Sequence, residues 1–281
     1  MADHGRQIRF GYFLVPDAAS PLVDTARELE SLGFDSIGVQ DHPYQRRFVE
    51  TWTLLSVLAG RTERIGFFPD VMNIQLRQPA VLAKAVASLD LLSGGRVELG
   101  LGAGAFPEAV LAYGGPGRTG GEALRALDEA ITVIRKVWSG ERNLRFDGDH
   151  YRLAGSHSGP LPMHDIGIWL GAYGPRALAL AGRVADGWLP SYRGDPAKLA
   201  DMASRLDDAA SAAGRAPGDL RRVLNIGEAG SDQGATADRL TSFAVELGFD
   251  TFVLGGDPAD ARPFIEQVAP RVLDQVAAAR R

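Results

Sequence analysis

His42 occupies a position from which a side chain could carry out acid–base chemistry. It follows Asp41 after the apolar run Ser36–Val39, which is typical of a buried strand. A neutral imidazole beside a carboxylate can donate to a carbonyl or accept a proton near neutral pH. We therefore take His42 as the candidate catalytic residue, with helix capping as its alternative role. Asp41 could fix the imidazole tautomer, bond a ring nitrogen of a cofactor or cap the following loop, and these roles stay open.

A glycine-containing turn between a predicted strand and a predicted helix has the properties of an anion site. Its residues are Gly171, Ala172, Tyr173, Gly174, Pro175 and Arg176. Proline is favoured at the first helical position, and the unpaired backbone N–H groups of a helix N-terminus attract phosphate. Arg176 could supply a counter-charge. An ordinary strand-to-helix turn is the alternative interpretation.

The string Gly100-Leu-Gly102-Ala-Gly104 follows another predicted strand. Gly102 and Gly104 could let a ligand approach the backbone closely, or they could serve a tight turn. A dinucleotide-binding loop is disfavoured, because a GxGxxG motif starting at Gly102 would place its third glycine at Pro107. The string alone therefore identifies no ligand.

Acidic residues near the predicted strand ends give no pattern for hydrolysis or metal binding. These residues are Asp70, Glu108, Glu228 and Asp257. None forms a pair that identifies glycosidase chemistry, and no GxSxG nucleophile motif is present. The chain has no cysteine, which excludes disulfides and Cys-ligated metal sites. His150 stands beside Asp147 and Asp149 on a predicted exposed ribbon, so no metal site is predicted.

The order of predicted elements decides how these residues can meet. Apolar runs of strand length occupy residues 8–14, 36–39, 65–68, 97–101, 168–171, 187–189, 223–227 and 251–254. Stretches with helical apolar spacing occupy residues 22–32, 52–58, 80–92, 123–138, 176–184, 196–213, 237–247 and 259–279. Strict alternation favours a parallel sheet covered by helices, and these repeated units predict an α/β fold of the (β/α)8 TIM-barrel type. The carboxyl ends of the strands would bring the candidate residues to one rim.

We expect one barrel domain over residues 1–281. The segment Ser31–Asp41 recurs nearly position by position at Glu246–Asp257, with a glycine in each copy that would end a helix before a strand begins. Two segments depart from this pattern and are predicted as insertion loops at the barrel mouth. They are residues 105–121 and residues 143–165, the second containing a hairpin.

Composition and charge narrow the function classes. The chain has a formal net charge of −5 and 45% hydrophobic residues, so a nucleic-acid surface and a disordered tail are both disfavoured. No stretch suits a membrane span, and the polar start lacks the apolar run of a secretory signal. The lack of cysteine fits a reducing cytoplasm, and a small molecule is the expected partner.

Four segments of the chain carry a family resemblance. The longest runs from Arg77 to Gly104 and reads RQPAVLAKAVASLDLLSGGRVELGLGAG. The others are Leu32–Ser36 together with Asp41-His42, residues 146–153, and residues 174–188. Together these strings resemble the luciferase-like monooxygenase superfamily, and within it the oxidoreductases that depend on the deazaflavin coenzyme F420.

This resemblance implies a barrel that binds a flavin-shaped ring at the carboxyl rim. The residues implied beside the ring are Asp41, His42, Pro69, Asp70, Val71 and Met72. Those implied around its phosphate-bearing tail are Gly102, Gly104 and Gly171–Arg176. A bulge on one ring face would carry a non-prolyl cis peptide about Pro69–Asp70. The cofactor would perform the hydride chemistry, and the protein would supply orientation and electrostatics.

The resemblance implies transfer of a hydride between F420 and a small organic substrate, with His42 polarising or protonating that substrate. An FMN-dependent monooxygenase, supplied with reduced flavin by a separate reductase, is the alternative. A barrel that binds flavin without turnover is a further one. Family members often pair through barrel helices, so a homodimer is expected.

Overall fold

The strands predicted from the alternating pattern form a closed parallel barrel. The computed structural model describes residues 3–281, so the first two residues of the predicted domain lie outside it. The strands are β1 (Arg9–Leu14), β2 (Ser36–Val39), β3 (Gly66–Pro69), β4 (Met72–Asn73), β5 (Leu99–Gly102), β6 (Leu144–Asp147), β7 (Arg152–Ser156), β8 (Ile168–Leu170), β9 (Gly187–Trp188), β10 (Arg221–Gly227) and β11 (Thr251–Leu254). The order around the barrel is β3-β2-β1-β11-β10-β9-β8-β5-β4, and Phe67 closes the ring by pairing with Val97. The barrel prediction is confirmed.

Helices lie between successive barrel strands. They are α1 (Leu22–Leu32), α2 (Thr51–Ala59), α3 (Pro79–Ser93), α4 (Pro107–Ala112), α5 (Gly120–Trp138), α6 (Pro175–Val184), α7 (Pro196–Ala212), α8 (Gln233–Leu247), α9 (Ala261–Pro263) and α10 (Ala269–Ala279). None of these helices, all within residues 3–281, has the length and apolar character needed to cross a bilayer. The stretch of helical spacing at 259–279 is helical from Ala261 to Ala279, with a π-helical turn at Phe264–Val268 between α9 and α10. Pro270 lacks the N–H that a regular α-helix would bond to the Glu266 carbonyl.

The repeated glycine-to-strand motif does what its residues predict. Gly33 and Gly248 adopt positive φ angles of 92° and 71° at the ends of α1 and α8. This left-handed conformation suits glycine, which has no Cβ. Phe34 and Phe249 follow and are buried in the layer between strands and helices. Each copy therefore ends a helix and anchors the next strand in the core.

The inside of the barrel is filled by its own apolar cluster. Its members are Phe68, Trp169, Leu189, Val223 and Val253, all buried, with Phe13 and Val71 packed against them. The rings of Phe68 and Trp169 lie 5.1 Å apart between centroids. The barrel is thus a packed core rather than a pore, and ligand space is confined to its ends.

Both segments predicted as insertions contain ordered structure. In the second, β6 and β7 pair antiparallel, with Phe146 opposite Leu153. The carboxylate of Glu129 on α5 accepts the backbone N–H groups of three consecutive residues, Asp149, His150 and Tyr151, at 2.9 to 3.1 Å. In the first, residues 105–121 include α4. The hairpin is therefore anchored on the neighbouring helix rather than projecting freely.

A buried carboxylate ties the segment before β8 to the amino end of the barrel. Asp90 on α3 is fully buried and accepts the Met163 N–H at 2.7 Å. His164 Nδ1 lies 2.9 Å from Asp90, and its Nε2 lies 3.6 Å from Glu98. The interaction with Glu98, assisted by the charge of Asp90 and opposed by burial, raises the pKa of His164 to about 9. His164 is therefore a cation at neutral pH.

We predict that His164→Asn destabilises the protein in a pH-dependent way. Because the folded-state pKa is raised from 6.5 to about 9, the stabilisation is complete below 6.5 and is lost as the pH rises through about 9. Denaturant unfolding of wild type and variant on both sides of this window measures the difference. The matched control is His157→Asn, which changes an exposed histidine of the same segment. A stability difference that stays constant from below 6.5 to above 9 would contradict the assignment.

Candidate functional site

A cavity of about 480 Å³ lies at the carboxyl ends of the barrel strands. This volume falls within the range of small-molecule sites. Of the predicted site residues, those that line it are Asp41, His42, Asp70, Val71, Met72, Gly102, Gly104, Gly171 and Tyr173. The fold thus brings predicted positions from four separate segments of the sequence around one space.

The remaining predicted positions lie outside this lining. Pro69 is buried in β3, and Ala172 is buried with its carbonyl accepting the indole N–H of Trp188 at 2.9 Å. Gly174 lines a neighbouring cavity of about 430 Å³, which shares Tyr173 with the first. Pro175 begins α6 at its exposed end. The side chain of Arg176 lies in a groove between α5, α6 and α7.

The chain leaves β3 through a short bulge that re-enters the sheet as β4. A non-prolyl cis peptide joins Asp70 to Val71, so its expected position about Pro69–Asp70 is wrong by one residue. The reason is the ladder with β2: Val39 pairs with Pro69, and the Asp70 N–H donates to the Val39 carbonyl at 2.7 Å. The regular strand pairing therefore extends through the Asp70 N–H, and the chain departs from it only afterwards.

Glycines on the neighbouring strands make the space for this bulge. A Cβ on Gly100 would lie 2.0 Å from the Pro69 carbonyl oxygen. A Cβ on Gly102 would lie 2.8 Å from Val71 Cγ2, and one on Gly171 would lie 3.2 Å from the same atom. We call these three glycines the glycine socket. Their structural role is to admit the bulge, which then presents Val71 to the cavity.

A glycine is required at position 104 for a different reason. It adopts a φ of 93°, and a Cβ there would lie 2.7 Å from both Asn73 Oδ1 and Gln75 Nε2. The Gln75 amide donates to the Ala103 carbonyl at 2.8 Å and accepts the Arg118 N–H at 2.6 Å. Gly104 thus belongs to a tight turn held by side chains of the bulge region, which was one of its two predicted roles.

Asp41 is the acceptor that fixes the far end of the bulge. Its buried carboxylate accepts the Asn73 N–H at 2.7 Å and two hydrogen bonds from the Arg77 guanidinium at 2.9 Å each. Arg77 also contacts Glu50 at 2.6 Å. Bidentate pairs of this kind are geometrically specific. Of the roles left open for Asp41, the geometry therefore favours positioning of the loop.

His42 lies against two aromatic rings at the cavity wall. Its Nδ1 is 2.8 Å from the Tyr44 hydroxyl, and its ring centroid lies 5.6 Å from that of Phe106. Burial lowers the pKa of His42, although the charge of Asp41 acts in the opposite direction. The imidazole is therefore neutral at neutral pH, and the contact with Tyr44 orients its ring through Nδ1.

The floor of the cavity is a hydrogen-bonded pair that joins opposite sides of the barrel. Asn225 on β10 donates from its side-chain amide to Asp70 Oδ1 at 3.0 Å. Asp70 is only 9% exposed, and burial raises its pKa to about 7, against the effect of the Asn225 hydrogen bond. Within residues 3–281, Asp70 Oδ2 and Asn225 Oδ1 are buried without a hydrogen-bond partner.

Several lining residues were missed from the sequence. Tyr44, Phe106 and Asn225 line the cavity, and Arg77 lies behind Asp41. Asn225 had a readable signal, since it is the one polar side chain inside the apolar run 223–227. Arg77 had none, because its partner Asp41 is distant in sequence. The other acid–base candidates, Glu108, Glu228 and Asp257, are exposed and do not line the cavity.

Tyr173 closes one side of the cavity through contacts with the loop after β9. Its hydroxyl accepts the Ser191 N–H at 3.0 Å and lies 3.2 Å from Ser191 Oγ. The Arg193 guanidinium lies 5.5 Å from the centre of the Tyr173 ring. The turn that leads into α6 is therefore pinned on the β9 loop, and α6 itself has no side-chain cap. Its first N–H groups are exposed in the way that an anion site requires.

Similarity to known proteins agrees with this architecture. An F420-dependent glucose-6-phosphate dehydrogenase from Microbacterium testaceum is 33% identical over 229 residues, covering 78% of this chain and 67% of the relative. A solved F420-dependent secondary alcohol dehydrogenase with an F420-acetone adduct superposes with a TM-score of 0.80 at 20% identity, over 95% of this chain and 99% of the other. A riboflavin lyase solved with modified FMN superposes with a TM-score of 0.79 at 15% identity, over 96% of this chain and 92% of the other.

The two solved structures show the shared fold alone, because their sequences are distant. The family model described as luciferase-like monooxygenase matches residues 5–269, nearly the whole chain. The chain is therefore an oxidoreductase that belongs to the luciferase-like monooxygenase family.

Proposed function

We propose that this protein transfers a hydride between coenzyme F420 and a small organic substrate. The observation that carries the proposal is the cavity of about 480 Å³ at the carboxyl rim, which combines apolar surfaces with a neutral histidine. The relative from Microbacterium testaceum is named as F420-dependent, which favours F420 over FMN. A deazaflavin ring, when bound, supplies the carbon that accepts or releases the hydride.

The residues present fit such a group. Apolar surfaces for a flat ring come from Phe13, Val71, Met72, Phe106 and Leu189, all of which line the cavity. The unpartnered Asp70 Oδ2 and Asn225 Oδ1 offer hydrogen-bonding atoms at its floor. The uncapped start of α6 at Gly174-Pro175 would hold a phosphate-bearing tail through backbone N–H groups.

His42 is proposed as the group that handles the substrate proton. Oxidation of an alcohol removes a hydride from carbon and a proton from oxygen, which leaves a carbonyl. The neutral imidazole of His42 would accept that proton, and in the reverse direction it would return the proton to the carbonyl oxygen. The hydrogen bond between Nδ1 and Tyr44 at 2.8 Å would hold the ring in one orientation throughout.

Cofactor titration tests the proposal directly. Purified protein should quench F420 fluorescence with a micromolar Kd and give no comparable response to FMN. Reduction of F420 should then be followed with glucose 6-phosphate and with a simple secondary alcohol as substrates, because these are the substrate types of the relatives. Binding of FMN in place of F420 would reject the proposal and favour the monooxygenase alternative. Binding of F420 without turnover of any substrate would favour the non-catalytic barrel.

We predict that His42→Asn separates binding from chemistry. The variant should bind F420 about as tightly as the wild type, while kcat falls by roughly 10² to 10⁴, the range for a lost general acid–base group. Fluorescence quenching and steady-state kinetics measure the two quantities. His157→Asn, on the exposed hairpin segment, is the matched control and should change neither. An unchanged kcat in His42→Asn would remove His42 from the catalytic role.

We also propose a homodimer that pairs through α2 and α3. Leu92 is 84% exposed and Val81 is 69% exposed on one face of α3. A groove of about 410 Å³ runs beside Leu92, between α2 and α3, and is lined largely by small residues and Trp52. An exposed apolar patch of this kind is typical of an association surface.

Leu92→Glu is predicted to convert the dimer to a monomer. A charge placed in an apolar interface has to be desolvated without a partner, which weakens association. Sedimentation velocity should give twice the chain mass of 30.0 kDa for the wild type and the single mass for the variant. The control is Leu273→Glu on α10, which is also exposed and should remain dimeric. A wild-type protein that sediments as a monomer would refute the dimer.

A further inference from the structure

Asp70 and Asn225 occupy a special place in the barrel. Asp70 directly follows β3, and Asn225 lies on β10, four positions away in the ring of strands. Their hydrogen bond of 3.0 Å therefore spans the barrel interior. It lies above the interior apolar cluster that contains Phe68 and Val223. The pair therefore separates the apolar core of the barrel from the cavity at its carboxyl end.

Within residues 3–281, no cation forms a salt bridge with Asp70. Its Oδ1 has one neutral partner, and its Oδ2 has none within the described residues. An ionised carboxylate is costly in such a position, so burial favours the protonated form. Asp41, in the wall of the same cavity, shows the contrast, because it is also buried and bonds the Arg77 guanidinium twice. Asp70 thus lacks the charged partner that Asp41 has.

No charged side chain that lines the cavity forms a hydrogen bond with Asp70. The elements around it contribute the following ionisable groups: Asp41, His42 and Tyr44 from the loop after β2, Tyr173 from the turn after β8, and Arg193 from the loop after β9. Each is engaged elsewhere: Asp41 with Arg77, His42 with Tyr44, and Arg193 over Tyr173. From β1 and β10, the groups that line the cavity are Phe13 and Asn225, which do not titrate.

We propose that Asp70 is an acid–base group of this cavity, and that a ligand closing the cavity over the Asp70–Asn225 pair is bound together with one proton. The step is a simple protonation, in which the Asp70 carboxylate and one solvent proton give the carboxylic acid, with no electron transferred. The neutral acid can then donate its O–H to the ligand. The inference rests on the proposed function for its probe, F420, whose ring would exclude water from the floor.

The protein without ligand provides the first test. Because the pKa of Asp70 is raised from 3.8 to about 7, ionisation of the buried group destabilises the fold as the pH rises through this window. Asp70→Asn should therefore melt at the wild-type temperature below 3.8 and at a higher temperature above 7. A melting difference that does not change with pH would overturn the acid–base assignment. Asp41→Asn is the contrast, since loss of an ion pair should lower the melting temperature.

Calorimetry of F420 binding provides the second test. In buffers of different ionisation enthalpy above pH 7, the wild type should take up close to one proton per chain, and its Kd should rise by up to about tenfold per pH unit. Asp70→Asn should take up none of this proton, and its Kd should lack this dependence. His42→Asn should retain both effects, which separates Asp70 from the other acid–base candidate.

Asn225→Ala gives a readout that a merely structural role would not move. The Asn225 hydrogen bond lowers the pKa of Asp70, so its removal should shift the onset of proton uptake to higher pH. Binding of F420 with no Asp70-dependent proton uptake would overturn the inference and leave the proposed function intact. If neither F420 nor FMN binds, the proposed function and the Asp70 inference are both rejected.

Discussion

The site depends on how one short bulge is held at the end of β3. Val71 packs against Gly102 and Gly171 because these residues have no side chain, and the Asp41 carboxylate holds the Asn73 N–H at the other end. A side chain at Gly100 or Gly102 would collide with the bulge. These contacts also fix Asp70, because its N–H pairs with β2 and the next residue, Val71, packs against the glycine socket. The close packing of Val71 against two glycines therefore determines where the Asp70 carboxyl group lies.

Two aspartates of this one cavity show how environment divides a single residue type into different roles. Asp41 is buried with a guanidinium, so its charge stabilises the loop. Asp70 is buried with an amide, and its pKa lies near neutrality. An aspartate of the first kind holds a structure in place, whereas one of the second kind can exchange a proton at physiological pH. Their spacing in sequence gives no sign of this difference.

Local chemistry made much of the fold predictable. Gly33 and Gly248 end α1 and α8, as their place between a helical stretch and an apolar run predicted. The predicted apolar runs form strands with bounds close to those expected. Features set by distant contacts were not predictable. The cis peptide lies one residue later than expected because strand pairing with Val39 extends to the Asp70 N–H. The role of Arg77 depends on Asp41, which is 36 residues away.

The fold does not choose the cofactor. A solved structure described with F420 and one described with modified FMN superpose on this chain almost equally well, with TM-scores of 0.80 and 0.79. The shared fold therefore does not distinguish the two cofactors, and under the proposed function the choice would come from side chains at the cavity surface. At the floor, those are an aspartic acid with one free oxygen and an asparagine with another. Under the proposed function, the protonation state of this floor would therefore decide which hydrogen bonds it offers to a bound ring.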